Sequence, residues 1–183
     1  MSGLEGFKVL SRRRLLAYSL SAGGAVLMGG GGGLWALRGR APKVDGLRLL
    51  TAHEYRTVQS LALAAFPRGG AFDAGAEDFD LSRMFDGFLA DEPEWNRTDL
   101  RRALFLLEYG PVLFERRLAT FSNLSPEERL AHFQAWAASS SLLRRQVASA
   151  FRKFLALVFY DRPPVWAGIG YNGPLIHPRG ISP

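Results

Sequence analysis

The chain consists of amphipathic stretches separated by short glycine- or proline-rich breaks, and the apolar residues within each stretch have helical spacing. Apolar side chains recur three and four residues apart in five segments, which predict helices over about 51–66, 80–90, 98–121, 125–139 and 141–160. Alternation of polar and β-branched residues is missing, so the pattern predicts no strand. The sequence therefore predicts an all-α protein.

Local signals set several helix boundaries. Thr51-x-x-Glu54 and Ser125-x-x-Glu128 are capping boxes, in which a hydroxyl and a carboxylate each accept a hydrogen bond from an otherwise unpaired backbone N–H. Pro111 lies within the third segment. Because proline has no N–H and clashes with the preceding turn, we expect a kink or a break near residues 109–111. With that interruption the pattern predicts a single bundle of five to six helices over residues 44–183.

The first 43 residues have the composition of an export leader. Ser11, Arg12 and Arg13 precede Leu15 and Leu16, and residues 15–37 contain no charged side chain. Seven of those 23 residues are glycine, and such a weakly apolar segment after paired arginines resembles a twin-arginine (Tat) export signal. The alternative is a basic cap on an ordinary membrane helix. The Tat translocase moves folded proteins, so we expect the body to fold in the cytoplasm and to reach the periplasm.

Whether this leader is removed stays open at the level of sequence. A helix of 23 residues, at about 1.5 Å per residue, is long enough to cross the membrane. Gly39-Arg40-Ala41 has small residues at the spacing of a cleavage site, but Pro42 follows, and proline at that position generally blocks the peptidase. Cleavage and anchoring in the inner membrane are both compatible with these residues.

The charge distribution excludes a nucleic-acid ligand for the body of the protein. Residues 1–43 hold seven basic groups and one acidic group, whereas residues 44–183 hold 16 of each. The net charge of +6 therefore belongs to the leader. A neutral domain lacks the basic excess that binds DNA or RNA.

Residues that could carry catalysis are scarce. The chain has no cysteine and three histidines, which argues against thiol chemistry and a metal centre. Gly168-x-Gly170-x-x-Gly173 matches a dinucleotide fingerprint, but prolines flank it and no crossover helix fits after it. Glu128 and His132 lie four residues apart, and we interpret them as a solvated contact. We predict no catalytic residue, no metal and no cofactor in this chain, and hence no enzyme.

The segment after the last predicted helix is rich in aromatic residues, glycine and proline, and it lacks helical periodicity. Its distinctive residues are Trp166, Gly168, Gly170, Tyr171, Gly173 and Pro174. Trp and Tyr are enriched in the energetically dominant parts of protein interfaces. This irregular tail either packs on its own bundle or is offered to a partner.

The leader, the segment from Leu50 to Pro67 and the tail together resemble the family called gluconate 2-dehydrogenase subunit 3. The resemblance implies a small subunit that carries a separate FAD-containing dehydrogenase of the glucose-methanol-choline type through the Tat translocase. The partner would hold the FAD and oxidise a sugar or alcohol, and a cytochrome c subunit often completes such a complex. The competing hypothesis is an independent, membrane-anchored periplasmic binding or scaffold protein.

Overall fold

The computed structural model describes residues 37–69 and 73–173. Within these ranges it contains six α-helices and no strand, which confirms the predicted all-α class. The helices are α1 (Ala52–Ala65), α2 (Leu81–Asp91), α3 (Glu94–Glu115), α4 (Pro126–Ala137), α5 (Leu142–Tyr160) and α6 (Pro163–Trp166). The predicted export residues Ser11, Arg12, Arg13, Leu15 and Leu16 lie outside the described residues, as does Pro174.

Both predicted capping boxes are present. In α1 the backbone N–H of Glu54 donates to Thr51 Oγ1 at 3.3 Å, and the N–H of Thr51 donates to Glu54 Oε2 at 2.8 Å. In α4 the N–H of Glu128 donates to Ser125 Oγ at 3.3 Å, and the N–H of Ser125 donates to Glu128 Oε2 at 3.0 Å. These two helices start where their cap residues predict.

The predicted start of α3 near Thr98 is wrong, because the helix begins four residues earlier at Glu94. Pro93 is its N-cap residue, and the Pro93 carbonyl accepts hydrogen bonds from the N–H groups of Asn96 and Arg97 at 2.9 and 3.0 Å. Proline can occupy this position because the helix makes no use of an N–H there. Pro93 thus follows the C-cap residue of α2, Glu92, and is itself the N-cap residue of α3.

The expected interruption at Pro111 does not break the helix. α3 continues through Pro111 to Glu115 and ends at Arg116, which has a left-handed backbone conformation (φ 55°). Most of residues 103–111 are buried, Pro111 among them. Packing therefore keeps the helix continuous despite the one backbone hydrogen bond that proline cannot make. Leu118 is almost fully exposed, and Phe121 lies buried in a separate 3₁₀ turn, so neither extends the helix as predicted.

The core forms where the five long helices α1 to α5 meet. Its fully buried side chains include Val58, Leu61, Phe85, Leu107, Phe151 and Leu155. The ring of Phe85 meets the rings of Phe151 and Phe154, with centroids 6.1 and 4.7 Å apart. Since α5 contributes its inner face to this core, its outer face is left to solvent. Within the described part of the chain, no helix combines the length and apolar character needed to span a membrane.

Candidate partner interface

The tail after α5 is more regular than predicted. Residues Pro163–Trp166 form the short helix α6, and a 3₁₀ turn follows over Ala167–Ile169. Pro163 and Pro164 occupy the first helical positions, where their fixed backbone angle suits a helix start. Val165 is fully buried in the core and so attaches α6 to the bundle. The expectation of a tail without helical structure is therefore wrong for residues 163–169.

The two aromatic residues predicted for the interface lie together. The rings of Trp166 and Tyr171 meet edge to face, with centroids 5.3 Å apart. The indole N–H of Trp166 donates to the carbonyl of Tyr160 at 3.1 Å, and the N–H of Tyr171 donates to the carbonyl of Trp166 at 2.9 Å. These bonds fold the tail back onto the end of α5.

Two of the predicted glycines have backbone conformations that favour glycine. Gly170 (φ 69°) and Gly173 (φ 98°) are left-handed. A Cβ atom on Gly173 would lie 3.3 Å from Cζ3 of Trp166, so glycine also permits the backbone to pass close to the indole. Gly168 is exposed within the 3₁₀ turn. The structure thus brings Trp166, Tyr171 and Gly173 into contact and places Gly168 and Gly170 in the turn between them.

This arrangement combines the two alternatives left open by the sequence, because the tail packs on the bundle and still exposes apolar groups. Tyr171 has 45% and Ile169 has 46% of its surface exposed to solvent, while Trp166 is half-buried. Leu157 and Tyr160 on the last turns of α5 are also exposed. We call these five residues (Leu157, Tyr160, Trp166, Ile169 and Tyr171) the tail surface.

The exposed face of α5 carries basic residues from its first turn to the half that adjoins the tail surface. α5 contains four basic residues and no acidic residue, although residues 44–183 as a whole are neutral. Three of the four, Arg145, Arg152 and Lys153, are exposed. Lys153, Leu157 and Tyr160 follow one another at helical spacing, so they share one side of α5. We call Arg145, Arg152 and Lys153 the basic stripe.

Two other locations were candidates for binding or catalysis. An open groove of about 760 Å³ lies between α1 and α3, but two of its charged groups already pair with each other, Arg101 Nε with Glu54 Oε1 at 2.8 Å. Across residues 37–69 and 73–173, no three His, Asp or Glu side chains are close enough to hold a metal ion. Gly168–Gly173 follows a short helix, whereas a dinucleotide fingerprint follows a strand.

The interpretation of Glu128 and His132 as a solvated contact is wrong. His132 is buried, and its Nδ1 atom lies 2.7 Å from Oε1 of Glu115 at the end of α3, although the N–H is not well aligned with that oxygen. Glu128 instead caps α4 and pairs with Arg117 Nη1 at 2.9 Å. Burial lowers the pKa of His132 below its ordinary value of 6.5, while Glu115 opposes that shift. Spacing along one helix could not reveal a partner on another helix.

Comparison with known proteins adds no family assignment. No family model, curated protein or solved structure matches this chain. The resemblance to gluconate 2-dehydrogenase subunit 3 therefore rests only on the leader, the segment from Leu50 to Pro67 and the tail.

Proposed function

We propose that this chain is a non-catalytic small subunit, exported by the Tat translocase, that escorts and stabilises a separate FAD-dependent dehydrogenase of the glucose-methanol-choline type. The observation that carries this proposal is the tail surface, an exposed aromatic and aliphatic patch held in place at one end of the bundle. The paired arginines of the leader and the resemblance of the tail support the same function. The partner would supply the FAD and the oxidation of a sugar or alcohol.

The tail surface has the physical properties of a docking site. Edge-to-face packing of Trp166 on Tyr171, and the bond from Trp166 to the Tyr160 carbonyl, order these rings before any partner arrives. Ordered rings lose little conformational entropy on binding, so more of the contact energy appears as affinity. The adjoining basic stripe would favour a partner surface with exposed carboxylates and would speed the encounter.

An independent, membrane-anchored periplasmic binding or scaffold protein is the second candidate function. One observation favours it, because aromatic side chains beside a basic helix face also suit the headgroup region of an anionic membrane. The two functions differ in whether a stoichiometric flavoprotein accompanies the chain.

Copurification tests the proposed function. The full chain, recovered from its native host through an affinity tag, should bring with it a flavin-containing protein in a fixed ratio. The isolated chain should be colourless and should oxidise neither sugars nor alcohols. Recovery of the chain without a flavoprotein would contradict the proposal.

Tyr171→Ala tests whether the tail surface is the contact. Truncating a central aromatic anchor costs about 2 kcal/mol or more, which is about 30-fold in affinity. We expect recovery of the flavoprotein to fall sharply while the isolated variant keeps its melting temperature. Trp95→Ala is the matched control, because Trp95 is an aromatic residue with 52% of its surface exposed at the start of α3. Equal losses in both variants, or no loss in either, would exclude the tail surface as the contact.

A further inference from the structure

The residues that connect the leader to the bundle lie in a polar cradle. Arg56 of α1 donates from Nη1 to the carbonyl oxygens of Arg38 and Arg40, at 3.1 and 3.2 Å. Asn123 donates from Nδ2 to the carbonyl oxygen of Leu37 at 2.6 Å. Three backbone carbonyls in four consecutive residues therefore accept hydrogen bonds from side chains of the bundle. We call residues 37–41 the stem.

The cradle is itself held in position. Arg56 Nη2 donates to Asn123 Oδ1 at 2.6 Å, so the two side chains that grip the stem also bind each other. Asn123 Nδ2 also donates to Thr120 Oγ1 at 3.0 Å. On the stem side, the guanidinium of Arg38 lies 5.3 Å from the ring centroid of the buried Tyr109, which adds a cation–π contact.

Gly39 fits the stem to this cradle. Its φ of 68° is left-handed, a conformation that residues with a side chain rarely adopt. A Cβ atom at Gly39 would lie 2.9 Å from Arg56 Nη1 and 3.0 Å from Asn123 Oδ1. Glycine is therefore needed both for the turn and for the close approach of the backbone to the cradle.

The chain just after the stem is also attached to the bundle. The buried carboxylate of Asp86 accepts the backbone N–H groups of Arg48, Leu49 and Leu50 at 2.6, 2.9 and 2.6 Å. Burial raises the pKa of Asp86, but these three hydrogen bonds outweigh it and leave the pKa below its ordinary value. The segment that joins leader and bundle is thus fixed at two places.

We propose that Arg56, Asn123 and Tyr109 form an intramolecular binding site for the leader stem, and that the docked stem withholds the Gly39-Arg40-Ala41 junction from signal peptidase. Proteases commonly bind substrates as extended strands through backbone hydrogen bonds. In the docked stem the carbonyls of residues 37, 38 and 40 are already engaged by the cradle. The exported protein therefore keeps its leader and stays tethered to the membrane.

This inference rests on the proposed export of a folded chain, since a cradle formed in the cytoplasm is in place before the junction meets the peptidase. Limited trypsin digestion of the purified full chain tests the docking without any export step. Trypsin cleaves after Arg38 and Arg40 only where the stem leaves the cradle. We expect Gly39→Ala and Arg56→Ala to accelerate these two cleavages at least tenfold.

Arg102→Ala is the control for digestion, because Arg102 is a helix-surface arginine that pairs with Asp99 at 3.3 Å and makes no stem contact. It should leave the cleavage rate unchanged. Gly39→Ala changes the stem alone, so its effect does not depend on whether Arg56→Ala preserves the bundle. Equal rates in the wild type and in Gly39→Ala would overturn the docking.

Processing is tested in cells by the intact mass of the exported chain. Pro42→Ala removes the sequence block to cleavage, yet we expect this variant to keep its leader. Pro42→Ala combined with Gly39→Ala should lose residues 1–41, because the substituted residue expels the stem and remains small enough for the peptidase. Cleavage of Pro42→Ala alone, or an intact double variant, would overturn the protection. Retention of every variant in the cytoplasm would refute the proposed export, while the digestion result would still decide the docking.

Discussion

At the scale of single residues, Gly110 shows how one missing side chain sets the packing of two helices. It lies inside α3, where glycine is less favourable than alanine by about 1 kcal/mol. A Cβ atom there would lie 2.4 Å from Cζ2 of Trp136 and 3.1 Å from Nε2 of His132. The fully buried indole of α4 therefore rests directly on the backbone of α3. Close helix contact accounts for a glycine at this position.

Gly110→Ala should destabilise the protein in spite of the gain in helix propensity. Overpacking a filled core typically costs about 1–3 kcal/mol. The gain in helix propensity is about 1 kcal/mol, so the cost equals or exceeds the gain. We expect a net loss in the free energy of unfolding, measured by urea denaturation. Gly87→Ala in α2 is the matched control, since no atom beyond the neighbouring backbone of its own helix lies within 4 Å of an added Cβ. It should be neutral or stabilising, and a Gly110→Ala variant as stable as Gly87→Ala would show that Trp136 can shift at no cost.

At the scale of elements, periodicity predicted which segments are helical, and cap chemistry decided how well their ends were placed. α1 and α4 begin at the predicted residues because Thr51 and Ser125 cap them with the reciprocal hydrogen bonds of a capping box. The cap of α3 is a proline without a side-chain hydrogen bond, so its start carried no comparable signal. Local sterics alone predict a break at Pro111, whereas tertiary burial of the surrounding turn keeps the helix continuous.

The contact between α3 and α4 should make stability depend on pH through His132. Burial and the nearby Arg117 and Arg144 lower the pKa of this histidine, while Glu115 opposes them. A lowered pKa means that the unfolded chain binds more protons than the folded chain below about pH 6.5. The free energy of unfolding should therefore fall as the pH is lowered through that range.

His132→Gln should weaken this dependence. His53, whose pKa is also lowered, first by burial and then by Arg38, stays in both proteins, so their difference isolates His132. The measurement is thermal unfolding at pH 7.5 and pH 5.5, and the wild type should lose more stability than the variant. A wild type that gains stability relative to His132→Gln at pH 5.5 would mean that pairing with Glu115 outweighs burial.

At the scale of the whole molecule, the sequence predicted which residues of the tail are unusual but could not predict the surface they join. Composition alone identified Trp166 and Tyr171. Leu157 and Tyr160 belong to the tail surface only because Trp166 folds back to the Tyr160 carbonyl. The neutral total charge concealed an α5 without acidic residues. The cradle brings together residues up to 86 positions apart, and the spacing of residues along the chain does not predict such a contact.

The fold also restricts the export route. A bundle that binds its partner before export must be folded, so it needs a translocase that moves folded proteins. The paired arginines before the uncharged segment predict such a route. Arg12→Lys combined with Arg13→Lys should therefore retain both this chain and the proposed flavoprotein partner in the cytoplasm, measured by immunoblotting of periplasmic and cytoplasmic fractions. Arg38→Lys combined with Arg40→Lys makes the same chemical change beyond the uncharged segment and should leave export intact. Delivery of the Arg12/Arg13 variant, or delivery of the wild type in a host without the Tat translocase, would show that the leader uses another pathway.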